Sequence, residues 1–183
     1  MTAARAAVLL AVLLPLAAYA QVPSYRIDSA RTQAEFEVDH LGVLRAQGRF
    51  ENVTGRLRYD ATGQAGAIDL AIPVASVATG WDTRDEFLRG TSMFDAAHFP
   101  RMRFVSQRFQ FENGRVVRVD GDLTLRDVTR PVTLTVRSLD CERDTCIASA
   151  SGVIRRREFA MDAWWPLIGD DVDLRFRLTA VKE

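Results

Sequence analysis

The sequence predicts an all-β protein: an antiparallel sheet of about eight strands with one helical interruption. Three observations carry this. Apolar and polar residues alternate with period two in run after run, turn signals separate the runs, and nearly every run has one apolar and one charged face. Successive strand side chains point to opposite faces, so such runs build a sheet with one wet side and one side that must be covered.

Taken in order, "EFEVDH" at 35–40 puts Phe36, Val38 and His40 on one face and Glu35, Glu37 and Asp39 on the other. The next run carries Leu44, Ala46, Gly48 and Phe50 on its apolar side, and the one after it Val53, Gly55, Leu57 and Tyr59. After "ATGQ" at 61–64, a strand places Ile68, Leu70, Ile72 and Val74 together. The rhythm breaks over 79–100. There Thr83-x-x-Glu86 reads as a capping box with Phe87 and Leu88 as the apolar side, and Ser92-x-x-Asp95 opens a second short turn, so the helical insert is expected near 83–97. Beyond "NG" at 113–114, Val117, Val119, Leu123 and Leu125 oppose Arg118, Asp120, Asp122 and Thr124. "VTLTV" at 132–136 follows, and the chain closes on Val172, Leu174, Phe176 and Leu178. Such a pattern fits a closed barrel or a sandwich and does not choose between them. Small residues mixed with large ones, as at Gly48, Gly121 and "IASASGVI" (147–154), read either as room for a cavity or as corners and bulges.

Residues 1–20 read as a secretory signal peptide: Arg5, an apolar run too short to span a bilayer, then "AYA" with cleavage after Ala20. Residues 21–183 then form one exported domain. Of 24 basic and 24 acidic residues, Arg5 leaves with the leader, giving 23 against 24 and a formal charge of −1. With no basic stripe, nucleic acid is a poor partner. "RRR" at 155–157 reads as a solvated strand end.

In an exported chain, Cys141 and Cys146 read as a disulfide across a four-residue hairpin tip. These two cysteines with two distant histidines, His40 and His98, do not make a metal set. Catalysis finds little footing. No G-x-S-x-G elbow is present, a triad through His40 and Asp85 would need tertiary coincidence, and carboxylate pairs such as Asp170–Asp171 and Asp120/Asp122 sit in turns or on wet faces.

Four stretches together resemble the YceI-like periplasmic proteins, polyisoprenoid-binding barrels of lipocalin-like form. They are "YRIDSARTQAEFEVDHLGVLRAQGRFENVTGRLRYD", "IPVASVATGWDTRDEFLRGTSMFDAAHFPRMRFVS", "GDLTLRDVTRPVTLTV" and "RREFAMDAWWPLIGDDVDLRFRL". The resemblance covers almost the whole exported part. Asp127 and Ala160 depart from it, standing where the family usually has glycine.

The resemblance implies a lipocalin-like barrel of about eight strands, periplasmic, holding a long-chain isoprenoid lipid (quinone-like or polyprenyl), with no cofactor. On that basis Phe36, Val38, Phe50, Ile72, Phe104, Met161 and Trp165 are expected to line a tunnel, with Trp81, Phe87 and Phe94 at its mouth. Each also reads as ordinary core. His40 is expected to hydrogen-bond inside the barrel, to the ligand, to Asp85 or to backbone. Three readings follow: a lipid carrier or sequestering protein, a lipid-binding accessory making transient contact with a membrane or a membrane redox or stress protein, and an enzyme acting on an amphiphile. An exposed apolar patch at the mouth would favour docking.

Overall fold

The computed structural model describes residues 22–183, so the leader over 1–20 and its cleavage site lie outside the described residues. The elements are β1 (Ser24–Ile27), β2 (Gln33–His40), β3 (Leu44–Phe50), β4 (Thr54–Asp60), β5 (Ala65–Pro73), β6 (Val77–Ala78), α1 (Asp82–Arg89), β7 (Arg101–Glu112), β8 (Arg115–Leu125), β9 (Val128–Glu142), β10 (Thr145–Arg155) and β11 (Ile168–Lys182).

All pairings are antiparallel. The ring β1-β4-β5-β7-β8-β9-β10-β11 closes on itself through β1 and β11, an eight-stranded barrel. β2, β3 and β6 extend from β11 as a second branch. The break between β1 and β2 makes this branching possible. Asp28 accepts the Ala30 N–H (3.1 Å) and starts a 3-10 turn over Ser29–Arg31. Thr32 bridges the interruption by accepting the Thr179 N–H at 3.2 Å. Both strands therefore pair with β11, one near each end of it.

The two ends of the barrel close differently. At one end, β1 is bonded on both sides, Tyr25 facing Lys182 and Leu57, and the ring is complete. At the other, β2 and β3 splay away. There β6, α1 and the turns over 90–99 fill the gap, with Val77 pairing to Phe50 and Phe94 meeting Phe50 edge-on at 5.5 Å.

The alternation holds with informative exceptions. Val116 rather than Val117 is buried, because β8 bulges by one residue, Val117, opposite the step from Gln110 to Phe111 of β7, which reverses the parity of its start. Glu37 faces outward yet is buried: Arg45, Gln47 and Arg175 donate to it and cover it. The hydrogen bond from Arg45 holds its carboxyl below the usual range. α1 begins at Asp82, one residue before the expected cap, and Trp81 at the N-cap makes no side-chain cap bond. Thr83 is thus already inside the helix, and the segment around Ser92–Asp95 forms hydrogen-bonded turns in place of a second helix.

Cys141 and Cys146 form the expected disulfide (S–S 2.01 Å), directly opposite each other in the β9–β10 ladder. Glu142 and Thr145 also pair, so the turn itself is only Arg143–Asp144, shorter than the four-residue tip expected.

The small residues on the apolar faces also resolve. A Cβ on Gly48 would fall 2.4 Å from the Phe36 ring, and one on Gly121 2.5 Å from Phe104 and 2.6 Å from the Val105 carbonyl. These glycines are neither corners nor voids: each leaves room for the end of a phenyl ring against the strand.

Candidate functional site

The inward faces enclose a cavity of about 260 Å³ in the splayed half of the barrel. Its wall comes from nearly every element. Phe36 and Val38 of β2 face Ala46 of β3, Leu70 and Ile72 come from β5, and Met102 and Phe104 from β7. Leu123 and Leu125 of β8, Val132 and Leu134 of β9, and Val172, Leu174 and Phe176 of β11 complete the circuit. Each set shares one strand parity, so period-two sequence alone puts it on one wall. Phe87 and Leu88 of α1, with Met93 and Phe94, cover the side that β3 leaves open.

A second void of about 50 Å³ lies toward the complete ring, among Ile27, Leu57, Val116, Leu139, Cys146 and Leu178. Leu70, Phe104, Leu134 and Phe176 border both spaces and form a waist between them.

Of the residues expected to form the site, Phe36, Val38, His40, Phe50, Ile72, Trp81, Phe87, Phe94, Phe104 and Met161 all line the larger cavity. Trp165 does not. It is half exposed, with Arg157 stacked on its ring at 4.7 Å, because the loop leaving the 3-10 turn Arg156–Phe159 carries it outside the mouth.

His40 has the inward parity expected but not the depth. β2 ends there, so the imidazole stands exposed at the lip. Asp85 is not its partner: that carboxylate is buried and accepts the Thr79 N–H (2.9 Å) and hydroxyl. Polar side chains at the opening are His40, Thr79 and Arg84, with Arg84 donating to Thr79 Oγ1 and O (both 2.8 Å).

Arg156 is the functional-region residue that sequence reasoning misplaced. Far from being a solvated strand end, it is 2% exposed and lines the cavity. Its Nε donates to the Gly169 carbonyl (2.7 Å), Nη2 to that of Ile168 (2.9 Å) and Nη1 to that of Met161, tying the mouth loop to β11. Burial pulls its pKa down from the ordinary arginine value, yet three carbonyl acceptors satisfy the cation. Its neighbours Arg155 and Arg157 are exposed, so alternation held a signal: the middle residue of the run has the parity of Ile154.

Among the described residues, no group of three His, Cys, Asp or Glu side chains is arranged to hold a metal ion. His98 bonds Asp95 through Nδ1 (2.8 Å), away from the cavity wall.

A family model for the YceI-like domain matches residues 25–180. The chain belongs to the YceI-like family. A UPF0312 protein of Shewanella denitrificans is 32% identical over 152 residues, covering 81% of this chain and 78% of that one. One from Photorhabdus laumondii is 30% identical over 175 residues, covering 91% of each. Among solved structures, BcnA of Burkholderia cenocepacia superposes with a TM-score of 0.77 at 23% identity, over 85% of this chain and 99% of its own. A polyisoprenoid binding domain from Saccharophagus degradans, implicated in plant cell wall breakdown, gives 0.70 at 17% identity, over 88% and 99%. These two structural likenesses establish the shared barrel.

This YceI-like barrel also explains its two departures from the family's glycines. Asp127 (φ 62°) and Ala160 (φ 56°) both adopt the left-handed conformation that glycine takes at no steric cost. Ala160 is exposed and leaves the cavity wall unaltered. Its carbonyl accepts from Arg126 Nη1, which ties the β8–β9 turn to the mouth loop.

Proposed function

We propose that this protein binds an isoprenoid-type lipid, quinone-like or polyprenyl, by enclosing its apolar tail in the larger cavity, and carries or sequesters it in the periplasm. The observation that carries the reading is the distribution of polarity along that cavity. Carbon surfaces form most of the wall from the waist upward, and the hydrogen-bonding side chains that line it, His40, Thr79, Arg84 and the buried Arg156, belong to the splayed half. An amphiphile fits such a space in one orientation, tail inward and headgroup at the lip. Each methylene removed from water is worth about 0.8 kcal/mol, so enclosure of a tail is strongly favoured. The polyisoprenoid binding domain of Saccharophagus degradans, with the same barrel, supports the choice of tail. The disulfide supports an oxidising compartment.

The polar groups at the lip support binding over turnover: Asp85 is engaged by Thr79, leaving His40 without that carboxylate to orient it as a base. The test is native mass spectrometry of the protein purified from its own periplasm, followed by organic extraction. A discrete added mass that extracts as a prenyl lipid is the expected result. A clean apo mass that stays clean after addition of a prenyl quinone would refute the reading.

A further inference from the structure

Nine large apolar side chains stand exposed on the described surface, and seven of them crowd one end. Leu41, Val43 and Leu44 form the β2–β3 tip, Trp81 precedes α1, and Trp164, Trp165 and Leu167 belong to the loop before β11. The three segments are contiguous. The Leu41 N–H donates to the Leu167 carbonyl at 2.7 Å, and Phe87 of α1 meets Trp164 edge-on at 6.2 Å. They surround the cavity opening, since His40 and Trp81 both line the cavity and both are exposed. The remaining two, Ile147 and Val153, lie singly along β10.

Charge selects among the surfaces that could cover this rim. Arg84 lies over the Trp81 ring at 5.9 Å and Arg157 over Trp165 at 4.7 Å. Asp39 at the same rim is paired with Arg45 (3.4 Å), and Arg155 is shared between Glu158 and Asp171. Among the described residues, neither the Arg84 nor the Arg157 guanidinium is in an ion pair, nor are the exposed Asp82, Glu86 and Asp162 of the same segments; what sets the two arginines apart is that each lies over a rim indole. Cations beside indoles, next to projecting aliphatic side chains, match the layered chemistry of a bilayer surface: phosphate outside, acyl carbon beneath, indole at the boundary.

We infer that this rim docks on a phospholipid bilayer, inserting the tip and loop residues below the headgroups while Arg84 and Arg157 engage lipid phosphates. The inference rests on the lipid-binding reading and adds to it the route of exchange: the opening meets the membrane directly, so a tail passes between bilayer and cavity without crossing water.

The test is co-sedimentation of the protein with phosphatidylcholine vesicles, with and without phosphatidylglycerol. The Val43→Glu/Leu167→Glu double variant should lose vesicle binding at least about tenfold, since two apolar side chains that insert are replaced by charged ones. The Ile147→Glu variant, at a side chain about as exposed as Leu167 but elsewhere, should bind like the wild type. Arg157→Gln should weaken binding to the anionic vesicles by roughly fivefold. Neither Val43 nor Leu167 lines the cavity, so prenyl-quinone uptake from dilute detergent should be unchanged in the double variant, which also reports that it is folded. Equal vesicle binding by the double variant and wild type would overturn the inference. So would sedimentation only with membranes that retain their proteins, which would assign the rim to a membrane protein. Vesicle binding by a wild type that takes up no quinone would refute the lipid-binding reading and leave the rim standing.

Discussion

The two halves of this barrel share the same strands and the same alternation, yet one is filled and the other hollow. In the half closed by β1, inward residues from opposite walls meet, leaving about 50 Å³. In the other, about 260 Å³ stays open. The difference is one of closure. Where β1 bonds to both β11 and β4, the ring is drawn tight. Where β2 pairs only with β11 and β3, the wall is completed by side chains of α1 and the 90–99 turns. A cavity here is a consequence of strand count at one level of the barrel more than of any special lining residue.

The largest effect is expected at the waist, where single side chains separate the two spaces. Phe104→Ala should cost about 3–5 kcal/mol in urea unfolding, the usual toll of emptying a buried aromatic site, and should join the two spaces. Native mass spectrometry with a ladder of prenyl chain lengths should then show longer tails retained than in the wild type. Should the variant fold poorly, Leu134→Ala probes the same waist.

At the filled end, Cys141→Ser with Cys146→Ser should lower stability by about 2 kcal/mol, since the bridged loop is short. It should leave prenyl-quinone affinity unchanged, because the bridge lies beyond the waist; an affinity loss would show that the halves are coupled. Gly121→Ala should cost about 1–3 kcal/mol, because its Cβ would meet the Val105 carbonyl, a backbone atom that cannot swing aside. Gly48→Ala meets only the ends of Phe36 and Thr79 side chains, so it should be milder and should instead push the Phe36 ring into the cavity.

At the hollow end, Ala160→Gly should stabilise by up to about 1 kcal/mol, relieving the left-handed conformation of a residue with a Cβ. The smallest effect concerns acid. Hydrogen bonds from Thr133, Gln110 and Arg108 hold the Asp120 carboxyl at about 2. Its folded value lies below its unfolded one, so its contribution is complete above about pH 4 and is lost as pH falls through 2. Melting temperature followed over that window should drop less in Asp120→Asn than in the wild type.

Much of this was legible in the sequence because strand parity is a local property. Phe36, Ile72, Phe104 and Leu125 sit on the faces where alternation places them. What escaped depends on events between strands. The bulge that buries Val116 in place of Val117 is visible only in the ladder between β7 and β8. Depth along the axis is set by where a strand ends, so His40 kept its side but lost its place inside. Arg156 was hidden by its charge. Three carbonyls supplied by β11 and the mouth loop make its burial tolerable, and they converge only in the fold. Trp165 follows a left-handed Trp164 (φ 60°) that turns the chain outward, which no hydrophobicity pattern encodes.

The central claim is that an apolar tail occupies the hollow half. Its most direct test is prenyl-quinone uptake, read by native mass spectrometry, in Ala46→Trp, which sets an indole into that cavity opposite Val38. The account predicts loss of the bound mass in a variant that still unfolds cooperatively. Full uptake by that variant would mean the tail lies elsewhere and would contradict it.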